Sequence, residues 1–180
     1  MKIKEEIMVV KMVKSYELKV VLKGFEKIIY RKFAINSTLK IDDLCKAIIV
    51  SMNGDLEHLY ELKHKDKFYI CSYMDKSKYN EIKMNSLRVD KLLLDKNDKL
   101  TLYYDFGDGW EFLITVKKVI DDNYSKRITL LDGSGCGICE DCGGVWGLED
   151  LIENEDNDWG YHIDDFDINE INAMLDKYYN

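Results

Sequence analysis

The chain has 180 residues, of which 46% are hydrophobic and 33% charged, with no proline and a net charge of −8. That size and balance fit one soluble globular domain and exclude a disordered, fibrous or disulfide-scaffold protein. No apolar run approaches the roughly 18 residues that span a bilayer, and the opening MKIKEEIMVVKMVK mixes acids and bases through its apolar residues. A cytoplasmic location without signal peptide or membrane anchor is the expectation.

Charge is unevenly distributed. Residues 1–127 carry 25 basic and 20 acidic side chains, whereas residues 128–180 carry 1 basic and 14 acidic. The acidic C-terminal part reads as a solvated surface, a cation site or a face for a partner. The acidic total argues against nucleic acid as a partner, because phosphate-driven binding needs clustered Lys and Arg.

Taken in order, Tyr16–Gly24 and Lys27–Ile35 are β-branched and aromatic and predict a strand pair around Gly24. Ile41, Leu44, Cys45, Ile48, Ile49 and Met52 form one helical stripe, with Asp42 and Asp43 in the first turn and Asn53-Gly54 as the stop. His58–Leu62 and Lys67–Tyr73 predict two strands joined near Lys65-Asp66. Residues 75–86 read as a polar loop, and Arg88–Asp95 as a short helix. Lys99–Phe106 and Trp110–Ile120 predict a hairpin, and Lys126–Gly133 a further strand. A Gly/Cys loop, a short helix over Trp146–Glu153, an acidic loop and a last helix follow. Asp167 with Glu170 has the pattern of a capping box at that helix's start. The whole predicts a single α+β domain, residues 1–180. Its sheet is antiparallel or mixed, opens strand–strand–helix–strand in the manner of a β-grasp core, and packs the acidic residues 133–180 against itself.

Two stretches carry chemistry. In YDFGDGWEFLITV (Tyr104–Val116), Asp108-Gly109 is a two-residue hairpin signal. That register sets Asp105 opposite Phe112, on one face with Tyr103, Trp110 and Ile114. A carboxylate among aromatics is either paired or functional, because burying it bare is costly; the plainer role is capping the turn through backbone N–H groups. In DGSGCGICEDCGGVWG (Asp132–Gly147), Cys136, Cys139 and Cys142 form a C-x2-C-x2-C array. Three thiolates at that spacing can converge on one soft ion, zinc with Asp132, Asp141 or His162 as a fourth ligand, or an iron–sulfur group, whose usual distal fourth cysteine is absent. The expectation is no cofactor, with reduced thiols packed beneath the hairpin; zinc at this loop and a redox role are the alternatives. Were this loop to meet the hairpin, Asp105, Asp108, Trp110, Glu140, Asp141, Gly143 and Gly144 would form one ligand-binding patch, suited to a hard metal or a basic ligand. His58, His64 and His162 sit in no catalytic signature. Glu155–Gly160 lacks calcium-loop spacing, and there is no phosphate-binding or dinucleotide-binding glycine fingerprint.

The succession YELKVVLKG, IIYRKFAI, STLKIDDLCKAI, EHLYEL, YYDFGDGWEFLITV and CEDCGGVWGLEDLI resembles the Ri-plasmid open-reading-frame-three-like family over residues 15–178. Members occur on plasmids and other mobile elements of bacteria and archaea, and some bear a TnpR-like resolvase label. The resemblance implies a compact α+β domain without an established molecular function. The family's Trp-x-His continuation of the hairpin is Phe112 here, and the second histidine of its His-Leu-His pattern is Tyr60, so only His58 remains. Its two prolines before Glu-Asp-Cys-Gly-Gly are Ile138 and Cys139, and its early Ile-Trp-Arg is Ile29-Tyr30-Arg31. With Arg31, Arg88 and Arg127 as the only arginines, resolvase chemistry lacks its phosphate grip. The expected function is a non-enzymatic binding or accessory domain with an unidentified protein or small ligand as partner and no catalytic residue. A metal-dependent hydrolase or nuclease using Asp105, Asp108, Glu140 and Asp141 is the alternative.

Overall fold

Alternating burial along the strands builds one sheet. The structure, a computed structural model, describes residues 13–75, 80–85, 87–92, 94–122, 125–154 and 157–180. The opening segment, part of the 75–86 segment, Leu93 and the first two residues of Glu155–Gly160 lie outside these.

The strands are β1 (Ser15–Leu22), β2 (Tyr30–Asn36), β3 (Tyr60–His64), β4 (Lys67–Ile70), β5 (Glu81–Lys83), β6 (Lys99–Tyr104), β7 (Trp110–Ile120) and β8 (Ile128–Ser134). The helices are α1 (Ile41–Ser51), α2 (Gly144–Glu153) and α3 (Ile168–Tyr179). All eight strands join one mixed sheet of order β5-β4-β3-β6-β7-β1-β2-β8, antiparallel except for the β4–β5 pair. The chain is a single α+β domain. It opens strand, strand, helix, strand, and β6 with β7 then enters between β3 and β1. No helix among the described residues is long and apolar enough to cross a membrane.

The α1 stripe lies buried against the sheet through Ile41, Leu44, Cys45, Ile48 and Ile49. Its N-cap is Lys40, without a side-chain cap bond. Asp167 caps α3 by accepting from the N–H groups of Asn169 and Glu170 at 2.7 and 3.2 Å. The opposite flank of α3 closes the β8 edge. Asn172 exchanges two hydrogen bonds with the backbone of Leu130 (both 2.9 Å), and Asn180 does the same with Ile128 (3.1 and 2.8 Å). Two asparagine amides thus replace the missing neighbour strand, which blunts an edge that would otherwise template another chain.

Three expectations change. The polar segment 75–86 contains β5, parallel to β4: only three residues long, it takes its strand form from the neighbour, not from its own composition. Arg88–Asp95 yields only a 3-10 turn at Val89–Lys91. The hairpin loop is five residues, Asp105–Gly109, with Tyr104 pairing Trp110 and Leu102 pairing Phe112. The Gly109 N–H closes it on the Asp105 carbonyl at 2.6 Å. This register places Leu102, Tyr104, Trp110, Phe112 and Ile114 together in the core. The two-residue loop would have put Asp105 among them and turned Tyr104 and Leu102 outward, so apolar burial decides the register.

Candidate functional site

The sheet order sets β3 beside β6, so the coil entering β3 lies against the β6–β7 turn. Residues 53–59 leave the end of α1 through Gly54, where any β-carbon would sit 2.5 Å from Ile49. Asp105 continues the ladder by donating its N–H to the Leu59 carbonyl at 3.0 Å. His58 is thereby brought to the hairpin turn, with Nδ1 3.6 Å from Asp105 Oδ1. Asp105 is buried, in the left-handed region at φ +50, and its Oδ1 also accepts the Gly107 N–H at 2.9 Å. The turn-capping role is therefore real, and it leaves the second carboxylate oxygen uncommitted.

The third wall is the coil between β8 and α2. At Gly137 a β-carbon would lie 2.2 Å from the Met52 carbonyl oxygen, an approach only glycine permits. Ile138 bonds Met52 and Asn53 at 2.8 and 3.1 Å, which pins this coil to the end of α1. Glu140 then points inward. Its Oε1 accepts from the Tyr104 hydroxyl at 2.8 Å and the Asp55 N–H at 2.9 Å. Its Oε2 is buried without a hydrogen-bond partner, 4.0 Å from His58 Nε2. Burial holds the Glu140 carboxyl above the ordinary carboxylate range. Asp55 lies below that range, chiefly because its carboxylate accepts the Glu57 N–H at 2.8 Å.

His58, Asp105 and Glu140 each offer a donor atom within 4.8 Å of the others. Among the described residues no other His, Cys, Asp or Glu group of three converges this closely. Asp141 stands at the rim, 80% exposed and 4.0 Å from His58 Nε2. Asp108 sits outside the donor set and works as a clasp, its Oδ2 accepting the Gly143 N–H at 3.3 Å. Gly144 packs so closely that a β-carbon would meet the Asp108 carbonyl oxygen at 2.3 Å. The hairpin and the Gly/Cys loop therefore touch as expected. Trp110, placed in the ligand patch by sequence, is wholly buried and supports the turn from beneath.

The cysteine array behaves differently. Cys136, Cys139 and Cys142 do not bring their sulfur atoms together as a three-ligand group. Cys136 is drawn toward Arg31 and the 159–170 segment: its carbonyl accepts from Arg31 at 3.1 Å and its N–H bonds Ile163 at 2.7 Å. The Cys142 thiol points back to the Gly144 carbonyl at 3.7 Å. Burial pushes all three thiols up, Cys142 to about 12, so they are protonated at neutral pH. Of the proposed fourth ligands, Asp132 is held by Lys32 at 2.6 Å, whereas His162 shares with Cys136 and Cys139 a polar cleft of about 670 Å³.

A family model described as plasmid pRiA4b ORF-3-like protein matches residues 14–175. The chain belongs to that family. The uncharacterised protein y4hQ of Sinorhizobium fredii is 29% identical over 139 residues, covering 76% of this chain and 70% of that one. The crystal structure of MM3350, a protein of unknown function from Methanosarcina mazei Go1, superposes with a TM-score of 0.74. That match covers 88% of this chain and 98% of MM3350 at 20% identity, and shows a shared fold. Phe112, at the place of the ORF-3-like pattern's histidine, is buried opposite Leu102 and offers no nitrogen donor there.

Sequence reasoning missed His58, Tyr104 and the backbone N–H of Asp55. The signal for His58 was available in its match to the first histidine of His-Leu-His. Asp55 and Tyr104 had none, because their roles arise only where the loop coils meet.

Proposed function

We propose that the protein works through a divalent metal ion held by His58, Asp105 and Glu140, whose open side is the place where a ligand binds. The observation that carries this reading is the convergence of one imidazole and two carboxylates within 4.8 Å, with a buried Glu140 oxygen lacking any hydrogen-bond partner. A buried carboxylate oxygen left bare is costly and is relieved by a cation. A mixed nitrogen and oxygen set suits zinc, manganese or iron(II) more than soft thiophilic ions. Three protein donors leave coordination positions open, as in sites that engage an outside molecule and unlike closed sites that only brace a fold. The chain is, on this reading, a metal-centred binding domain.

One feature favours a hydrolytic use of the same centre. The exposed Asp141 carboxylate, 4.0 Å from His58 Nε2, stands where it would accept a proton from water at the open side. A bound ion would supply Lewis acidity and bring the pKa of its water toward neutrality.

Titration calorimetry with zinc and manganese, checked by elemental analysis, tests the reading. One equivalent per chain is expected for the wild type. His58→Ala and Asp105→Asn are expected to weaken binding by more than the roughly 10–100-fold typical of outer partners. Cys139→Ser and Cys142→Ser retain it. Metal lost in the cysteine variants but kept in Asp105→Asn would transfer the site to the thiols. Turnover of nitrophenyl esters or phosphodiesters by the metal-loaded protein, abolished in Asp141→Asn, would establish the hydrolytic use.

A further inference from the structure

Resting on the metal-centred reading, we infer that Tyr104 is the positioning residue of the site, orienting two of its three donors at once. Its hydroxyl donates toward Glu140 Oε1 at 2.8 Å and lies 3.0 Å from Asp55 Oδ1. Its ring meets the His58 imidazole edge-on, with centroids 5.9 Å apart and planes at 76°. Tyr104 is itself fully buried as the last paired residue of β6 opposite Trp110. It therefore transmits the rigidity of the sheet to side chains that stand on two coils.

The two Glu140 oxygens show the effect. Oε1 is saturated by the Tyr104 hydroxyl and the Asp55 N–H, whereas Oε2 has no partner and is turned to His58. Without the hydroxyl, Oε1 keeps one donor, and the carboxylate is free to rotate about its terminal bond. Asp55 is a competitor within the same group: the hydroxyl carries one hydrogen and faces two carboxylate oxygens. Outer partners of this kind set the orientation and basicity of metal ligands.

The test measures cobalt(II) and zinc affinity, and the visible absorption of the cobalt form, in the wild type, Tyr104→Phe and Asp55→Asn. Tyr104→Phe keeps the ring and removes only the hydroxyl. It is expected to lose roughly 10–100-fold in affinity and to alter the cobalt spectrum. Asp55→Asn keeps the backbone N–H on Glu140 and an Oδ1 acceptor for the Glu57 N–H while removing the competing charge, so affinity stays close to wild type. Wild-type affinity and an unchanged spectrum in Tyr104→Phe would overturn the positioning role while leaving the metal site standing. A loss in Asp55→Asn as large as in Tyr104→Phe would overturn it too, by assigning the anchoring to the Asp55 carboxylate. A wild-type protein that binds neither ion removes the site and this inference together.

Discussion

Arg31→Met is expected to destabilise the protein by about 4 kcal/mol or more, because four backbone carbonyls lose partners at about 1–3 kcal/mol each. Arg31 is fully buried on β2, and its guanidinium donates to four backbone carbonyls: Ser51 at 2.7 Å, Tyr30 at 2.9 Å, Ser134 at 2.8 Å and Cys136 at 3.1 Å. These belong to the end of α1, β2 itself, the end of β8 and the start of the Gly/Cys loop. The Phe166 ring covers the guanidinium at 4.6 Å. Desolvation lowers the Arg31 pKa to about 10, which still leaves it charged at neutral pH. Methionine fills much of the volume and satisfies none of the carbonyls. Arg31→Lys fails almost as badly, because a single ammonium cannot span carbonyls arranged around a planar fork. Urea denaturation measures the effect; a loss below about 1 kcal/mol would mean that water takes over the carbonyls.

Gly144→Ala is expected to cost about 2–4 kcal/mol, combining left-handed strain with overpacking, and to weaken metal binding as well. Gly144 opens α2 at φ +71, and the new methyl would lie 2.3 Å from the Asp108 carbonyl oxygen. Backbone cannot rotate aside as a side chain can, so the helix start and the hairpin turn must separate. Glu140 lies just before that helix and Asp105 within that turn, so the donors part with them. Gly143→Ala is the control. It too has positive φ, at +95, but a β-carbon there meets nothing within 4 Å. It should carry the conformational cost of roughly 1–2 kcal/mol and leave the metal affinity near wild type. Equal losses of affinity in the two variants would show that loop strain, not the Asp108 contact, couples this segment to the site.

Local physics was legible where one element's own residues decide it. The α1 stripe, the Asp167 cap and the strands flanking Tyr104–Trp110 all follow from side-chain period and backbone chemistry within about ten residues. The hairpin's existence was local; its register was not. Asp108-Gly109 favours a two-residue loop, but apolar burial of Leu102 and Tyr104 against the core outweighs that turn preference. The short β5 was illegible because a strand of three residues is formed by its neighbour.

The site divides in the same way. Asp105 and Glu140 could be suspected from sequence alone, as acidic residues set in glycine-rich turns. His58 carried only its match to the first histidine of His-Leu-His, since nothing else local distinguishes an isolated histidine from a surface one. The insertion of β6 between β3 and β7 makes it a neighbour of Asp105, and the strap of Gly137 on Met52 brings Glu140 to both. The cysteines teach the converse. Their spacing alone suggested a converging trio, yet the three sulfur atoms do not converge, and the Cys136 backbone is committed to Arg31 and Ile163, satisfying buried groups that the spacing does not reveal. Residue identity and period set which elements form; long-range contacts, which carry no trace in local sequence, chose the three side chains that meet.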